Sequence, residues 1–206
     1  METPSAVSTQ APRKATASAL LDAAERLLIE VGYGGVSTRR LAEEAGANQG
    51  LVHYYFGSMD ELFVQVLERF TERLVARQRQ MYLAEGPFIE KWRTAWSFQE
   101  EDLKAGYSKI WMELQALSWS HPELRPRVAR VNAEWRGVLH EAFARAAKEY
   151  GLDETEFPVD ALVALTMTFG QGFAIERLEG IDEGHPEMLG WIERWLEGLE
   201  AEKEGE

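Results

Sequence analysis

The sequence predicts an all-α chain of about nine helices: a three-helix N-terminal domain containing a helix-turn-helix, followed by a larger helical domain. Three observations carry this. Apolar residues recur every three or four positions in each long segment. No segment alternates like a strand. Gly and Pro stand where those patterns stop, at Gly32, Gly46, Gly86-Pro87, Gly151, Pro158, Gly180 and Pro186.

Taken in order, residues 1–15 are small and polar, with two prolines and then Arg13 and Lys14. They read as a disordered tail, either solvated or serving as a short basic arm. Leu20, Ala23, Ala24, Leu27, Leu28 and Val31 mark the first helix, closed by Gly32. Ser37 caps a second, short helix that buries Leu41, Ala42 and Ala45, and Gly46 breaks it. A third runs from about Gln49 to Tyr55. Ser58-Met59-Asp60-Glu61 reads as a capping box opening a fourth helix, whose apolar face is Leu62, Phe63, Val66, Leu67, Phe70 and Leu74. Beyond Gly86-Pro87 the fifth carries Phe88, Trp92, Ala95 and Trp96, and the sixth Tyr107, Ile110, Trp111, Leu114 and Leu117. The seventh runs from Leu124 to Ala146, the eighth from Pro158 to Gly180, and the ninth follows Pro186. The expected organisation is a tail over 1–15, a helix-turn-helix domain over 16–60 and a helical domain over 61–206.

Composition narrows the function. The chain has 206 residues, 45% of them hydrophobic, so a packed core is expected. It has no cysteine, which excludes disulfides, thiolate metal sites and a cysteine nucleophile. Residues 1–10 lack the apolar stretch of a signal peptide, and no run is long enough to cross a bilayer, so a cytoplasmic protein without a membrane partner is expected. Net charge is −13. It is uneven: residues 1–60 hold five basic and seven acidic groups, residues 61–206 seventeen and twenty-eight. Any contact with nucleic acid must therefore be local to the N-terminal part.

That part contains STRRLAEEAGANQGLVHYYF, residues 37–56. Ala42 permits close helix approach, Gly46 a left-handed turn, and Val52 an inner apolar face. The outer side of the second short helix is then presented outward. Asn48 and Gln49 have the amides that read adenine, Gly50 lets backbone approach a base edge, and His53 and Tyr54 can donate to phosphate. Ser37, Thr38 and Arg39 are placed to clamp flanking phosphates. The residues alone leave two arrangements open: a DNA-reading helix-turn-helix, or a helical hairpin that simply packs.

Residues 16–63, with LLDAAERLLIEVGYGGVSTRRLAEEAGANQGLVHYYFGSMDELF, resemble the N-terminal domain of the TetR family of bacterial repressors. The VHYYF block followed by a capped S-x-x-E-L helix carries the resemblance. It implies a three-helix DNA-binding head, a linking fourth helix, a ligand-binding domain, and homodimerisation through the last two long helices. The implied activity is repression at an inverted-repeat operator, relieved by a small effector. Two positions depart from the family: Met59 stands where a phosphate-contacting lysine is usual, and Gln49 replaces a common lysine of the recognition helix. Arg39, Arg40 and Arg13 are the cations that can compensate.

In the C-terminal part, Trp92, Trp96, Trp111, Trp119 and Trp135 fall on successive helices. They are either ordinary core or the wall of a cavity for an apolar or aromatic molecule. The expected pocket set is Trp92, Trp96, Tyr107, Trp111, Gln115, Trp135 and Met167. The eighth helix is apolar nearly all round, so it needs cover on two sides. Leu162, Phe169, Phe173, Trp191 and Trp195 are the expected dimer contacts. The four histidines are far apart, at 53, 121, 140 and 185, and no nucleotide or hydrolase signature occurs. No enzyme activity, metal or cofactor is expected.

Overall fold

The computed structural model describes residues 10–205 and is helical with no strand among them. The helices are α1 (Gln10–Val31), α2 (Thr38–Ala45), α3 (Gly50–Phe56), α4 (Met59–Leu83), α5 (Phe88–Lys104), α6 (Tyr107–Ser120), α7 (Arg125–Glu149), α8 (Val159–Leu178) and α9 (His185–Gly205). Short 3-10 turns occupy Tyr33–Gly35 and Pro122–Leu124. Residues 10–15, expected in the tail, already belong to α1: once Leu20 to Leu28 bury one face, the Ala- and Lys-containing turn before them continues the helix cheaply. The rest of the expected tail lies outside the described residues.

The chain forms two compact units. The first comprises residues up to Phe70 together with Lys109–Val128, the second Thr71–Ser108 together with the residues from Ala129 onward. The division thus differs from the expected one at residue 60. The reason is core volume. Three helices, two of them of only eight and seven residues, bury little apolar surface by themselves. The first unit completes its core with Leu62, Phe63, Val66, Leu67 and Phe70 of α4 and Ile110, Leu114 and Leu117 of α6, all buried with Leu20, Leu27, Leu28, Leu41 and Val52.

Polar ties reinforce that unit. Arg127 pairs with Glu61 and Glu68, and Arg69 with Asp22 at 2.7 Å and Glu25 at 3.0 Å. The Tyr33 backbone N–H donates to Glu113 Oε2 at 2.7 Å. Tyr33 also packs edge-on against Phe63 and its hydroxyl meets Asp60 at 3.2 Å, burial and that carboxylate together raising the phenol pKa. Gly32, at φ +71°, makes room here: a Cβ would lie 2.7 Å from Glu113 Oε1. The capping box at Ser58 is half formed. Ser58 Oγ accepts from the Glu61 N–H at 3.1 Å, but the Glu61 carboxylate is taken by Arg127 and by Gln65 rather than reaching back.

In the second unit Val75, Tyr82, Phe88, Ile89, Val138, Leu139, Ala142, Ala146, Val163 and Leu196 form the core. Burial pushes the Tyr82 phenol up to about 12. Arg77 donates to the buried Asp102 at 2.6 Å and lies 4.1 Å over the Phe98 ring. Arg93 joins α5 to α9 through Glu193 and Glu197. No helix among the described residues is long and apolar enough to cross a membrane.

Candidate nucleic-acid interface

The turn between α2 and α3 is built by two caps. Ser37 Oγ accepts from the Arg40 N–H at 3.2 Å and starts α2. Gly46, at φ +60°, ends it: its N–H donates to Glu43 O, and the Ala47 N–H donates to Ala42 O at 2.9 Å. Any other residue at Gly46 pays about 1 kcal/mol for that left-handed backbone, although a Cβ would meet open space. Leu41, Ala42, Val52 and Phe56 are buried, so α2 and α3 hold each other by their inner faces.

The opposite face of α3 is open. Asn48, Gln49, Gly50, His53 and Tyr54 are all exposed, Tyr54 at 60%. They are not equivalent. Asn48 Oδ1 accepts from the Gly50 N–H at 2.9 Å, so this side chain primarily starts α3 and keeps its amide N–H groups for outside partners. Gln49 makes no side-chain cap and remains a bidentate amide. His53 Nδ1 lies 3.0 Å from Gly57 O; a carbonyl only accepts, so Nδ1 carries the proton and Nε2 is left for other partners. Ser37 and Thr38 stand at the start of α2, and the Ser37 hydroxyl, already an acceptor, can still donate.

The cations around this face are shared with carboxylates. Arg39, with an 80% exposed side chain, lies 3.4 Å from Glu43; Arg40 is 3.6 Å from Glu30, and Arg26 is 2.9 Å from Glu44. Exposed pairs of this kind are worth at most about 1 kcal/mol, so a phosphate can take the guanidinium over. Arg13 differs: its guanidinium stands 5.3 Å from the centre of the Tyr54 ring. The sequence offers Arg13 as part of a short basic arm and as a compensating charge; its placement against Tyr54 follows from α1 beginning at Gln10.

The other expected sites are spread across the fold. Trp92, Trp96, Trp135 and Met167 lie in the second unit, whereas Trp111 and Gln115 belong to the first. Trp92, Trp135 and Met167 pack against the second core, and Tyr107 begins α6. Trp96 packs edge-on against Trp92, Phe169 and Phe173. Of the expected dimer contacts, Leu162 and Phe169 are half-buried and Trp191 and Trp195 are exposed. Phe173 departs from the expectation. It is 3% exposed, held between Trp96 and His185, because α8 buries the face bearing Val163, Phe173 and Ala174 in its own unit. Leu165, 67% exposed and not singled out from sequence, stands on the outer face instead. No group of three or more His, Asp or Glu residues suited to a metal occurs among the described residues.

This head matches known proteins. Residues 20–66 match the family model described as "Bacterial regulatory proteins, tetR family". The chain is 26% identical over 181 residues to the HTH-type transcriptional repressor AcnR of Corynebacterium glutamicum, covering 84% of this chain and 88% of that protein. It is 29% identical over 140 residues to the HTH-type transcriptional regulator BetI of Burkholderia mallei, covering 62% and 71%. Among solved structures, the fatty acid degradation regulator FadR of Bacillus halodurans shares the fold with a TM-score of 0.70 at 18% identity, over 88% of this chain and 94% of that one. Salmonella enterica GusR does so with a TM-score of 0.68 at 15% identity, over 95% and 98%. With a capped helix-turn-helix and an open polar face on α3, residues 20–66 match the TetR-family model, and the chain is similar to transcriptional regulators of that family.

Proposed function

We propose that this regulator is a cytoplasmic repressor that binds an inverted-repeat operator as a homodimer and responds to a small apolar or aromatic effector. The observation that carries the reading is the division of α3 into a buried apolar face and an open polar one bearing Gln49, His53 and Tyr54. A helix so presented fits a major groove, with Gln49 reading a base edge and Ser37, Thr38 and Arg39 holding phosphates. One such helix reads only a few base pairs. Two related by a two-fold axis read successive grooves about 34–36 Å apart, which makes the operator an inverted repeat.

Support for the dimer comes from the outer face of α8 and α9. Leu165 and Trp191 are 67% and 65% exposed, and Leu162 and Trp195 flank them. Isolated exposed apolar residues are ordinary, but an exposed Leu on α8 and two exposed Trp on α9 offer apolar surface that a second copy can cover. Leu165→Glu and Trp191→Glu each put a charge into that cover. Both should shift the protein from dimer to monomer in sedimentation at micromolar concentration while leaving helical circular dichroism intact. A monomeric wild type would overturn the dimer reading.

The aromatic residues of the second unit support the effector class. Selection of genomic fragments by the wild-type protein, followed by titration of the recovered duplex, tests the whole reading. Arg39→Ala and Gln49→Ala should separate there: the first weakens all duplexes and flattens the salt dependence by about 1.8 in log–log slope, about 0.9 from each subunit, whereas the second costs about 1–3 kcal/mol at the base pair it reads in each half-site and leaves the slope unchanged. Equal binding by both variants and wild type would displace the interface from α3.

A further inference from the structure

We infer that Arg13 and Tyr54 form one phosphate-contacting unit, in which the Tyr54 ring on the recognition helix supports a backbone-binding cation supplied by the first turns of α1. This rests on the DNA-binding reading above and assigns a working part to a residue outside the helix-turn-helix itself.

The geometry favours Arg13 over the other arginines of the head. Arg26, Arg39 and Arg40 each lie within ion-pair distance of a carboxylate. Among the described residues no carboxylate pairs with Arg13; its guanidinium faces an aromatic ring at 5.3 Å. An aromatic ring attracts a guanidinium without neutralising it and leaves its N–H donors pointing away from the ring edge. The cation therefore keeps its full charge and a fixed position beside the open face of α3. Tyr54 is itself buttressed: its ring meets Tyr55 edge-on at 5.1 Å, which limits the directions it can take.

The proposal separates the two halves of Tyr54. A neutral hydroxyl that donates to phosphate adds affinity but releases no counterion, whereas a cation contributes about 0.9 to the log–log salt slope. The test measures dissociation constants for a duplex recovered by the wild-type protein from genomic fragments, between about 50 and 200 mM salt. Arg13→Ala should flatten the slope by about 1.8, about 0.9 from each subunit of the proposed dimer, and weaken binding roughly thirty- to hundredfold near 0.1 M salt. Arg13→Lys should restore the slope. Tyr54→Phe, which keeps the ring, should retain the wild-type slope. Tyr54→Leu should flatten it, and adding Arg13→Ala to Tyr54→Leu should then change little, the two residues acting as a unit. Thermal melting of each variant should match wild type, since both side chains are exposed.

An unchanged slope in Arg13→Ala overturns the proposal and leaves the DNA-binding reading standing. Independent, additive effects of Arg13→Ala and Tyr54→Leu overturn it as well, by showing that the ring does not position the cation. Failure of the wild-type protein to retain any duplex removes the DNA-binding reading and this inference with it.

Discussion

Replacing Phe173 by glutamate is expected to unfold the second unit rather than to separate two subunits. Phe173 touches Trp96 at 5.1 Å, Phe169 at 5.9 Å and His185 at 4.6 Å between ring centres. Deleting a buried aromatic ring costs about 3–5 kcal/mol. A carboxylate in its place adds a desolvation penalty of about 1–3 kcal/mol, which Arg177, 5.9 Å from the ring centre, offsets only in part. The total is comparable with the whole stability of a domain of this size, about 5–15 kcal/mol. Thermal unfolding followed by tryptophan fluorescence should show the second unit melting tens of degrees lower or already disordered. Retained wild-type melting with a monomeric product would mean that Phe173 faces another copy after all.

Val52→Asp is expected to abolish specific DNA binding through the head while leaving the second unit folded. Val52 is buried under α2 with Leu41 and Ala42, and only one turn of α3 separates it from Phe56. Loss of its apolar burial costs about 1.5–3 kcal/mol. The introduced carboxyl has no cation on that inner face, and a seven-residue helix has little propensity of its own to fall back on. Hydrogen exchange should show α3 amides unprotected, with the α8 and α9 amides as slow as in wild type. Operator binding at wild-type strength by this variant would show that α3 does not carry the contact.

These two variants also mark what was legible in the sequence. Val52 follows from spacing: in a short amphipathic helix between two glycines, only one phase buries an apolar residue against Leu41. The caps at Ser37 and Ser58 and the left-handed Gly46 are legible for the same reason, since each is a local rule satisfied within five residues. Phe173 is not legible, because α8 is apolar on all sides and its phase is set by which face meets α5 and α9. Leu165 was passed over on the same grounds. The Tyr33–Glu113 contact joins residues eighty positions apart and depends on Gly32 leaving room, which no periodicity encodes. The start of α1 was misplaced because small polar residues permit disorder and helix equally; the long amphipathic segment that follows decides between them. The boundary between the units was hidden because α4 reads as one continuous helix, although its halves serve different cores.

The pairing of Arg26, Arg39 and Arg40 with neighbouring carboxylates has a kinetic consequence. Non-specific attraction to a duplex comes from counterions displaced by unneutralised cations, and here few are on offer, on a chain of net charge −13. Such a protein dwells only briefly on arbitrary sequence. Acting as the proposed repressor, it would find its site by repeated encounters through solution rather than by long one-dimensional scanning. On the proposed function, the fraction held on irrelevant DNA stays small, and few copies per cell suffice to occupy one operator.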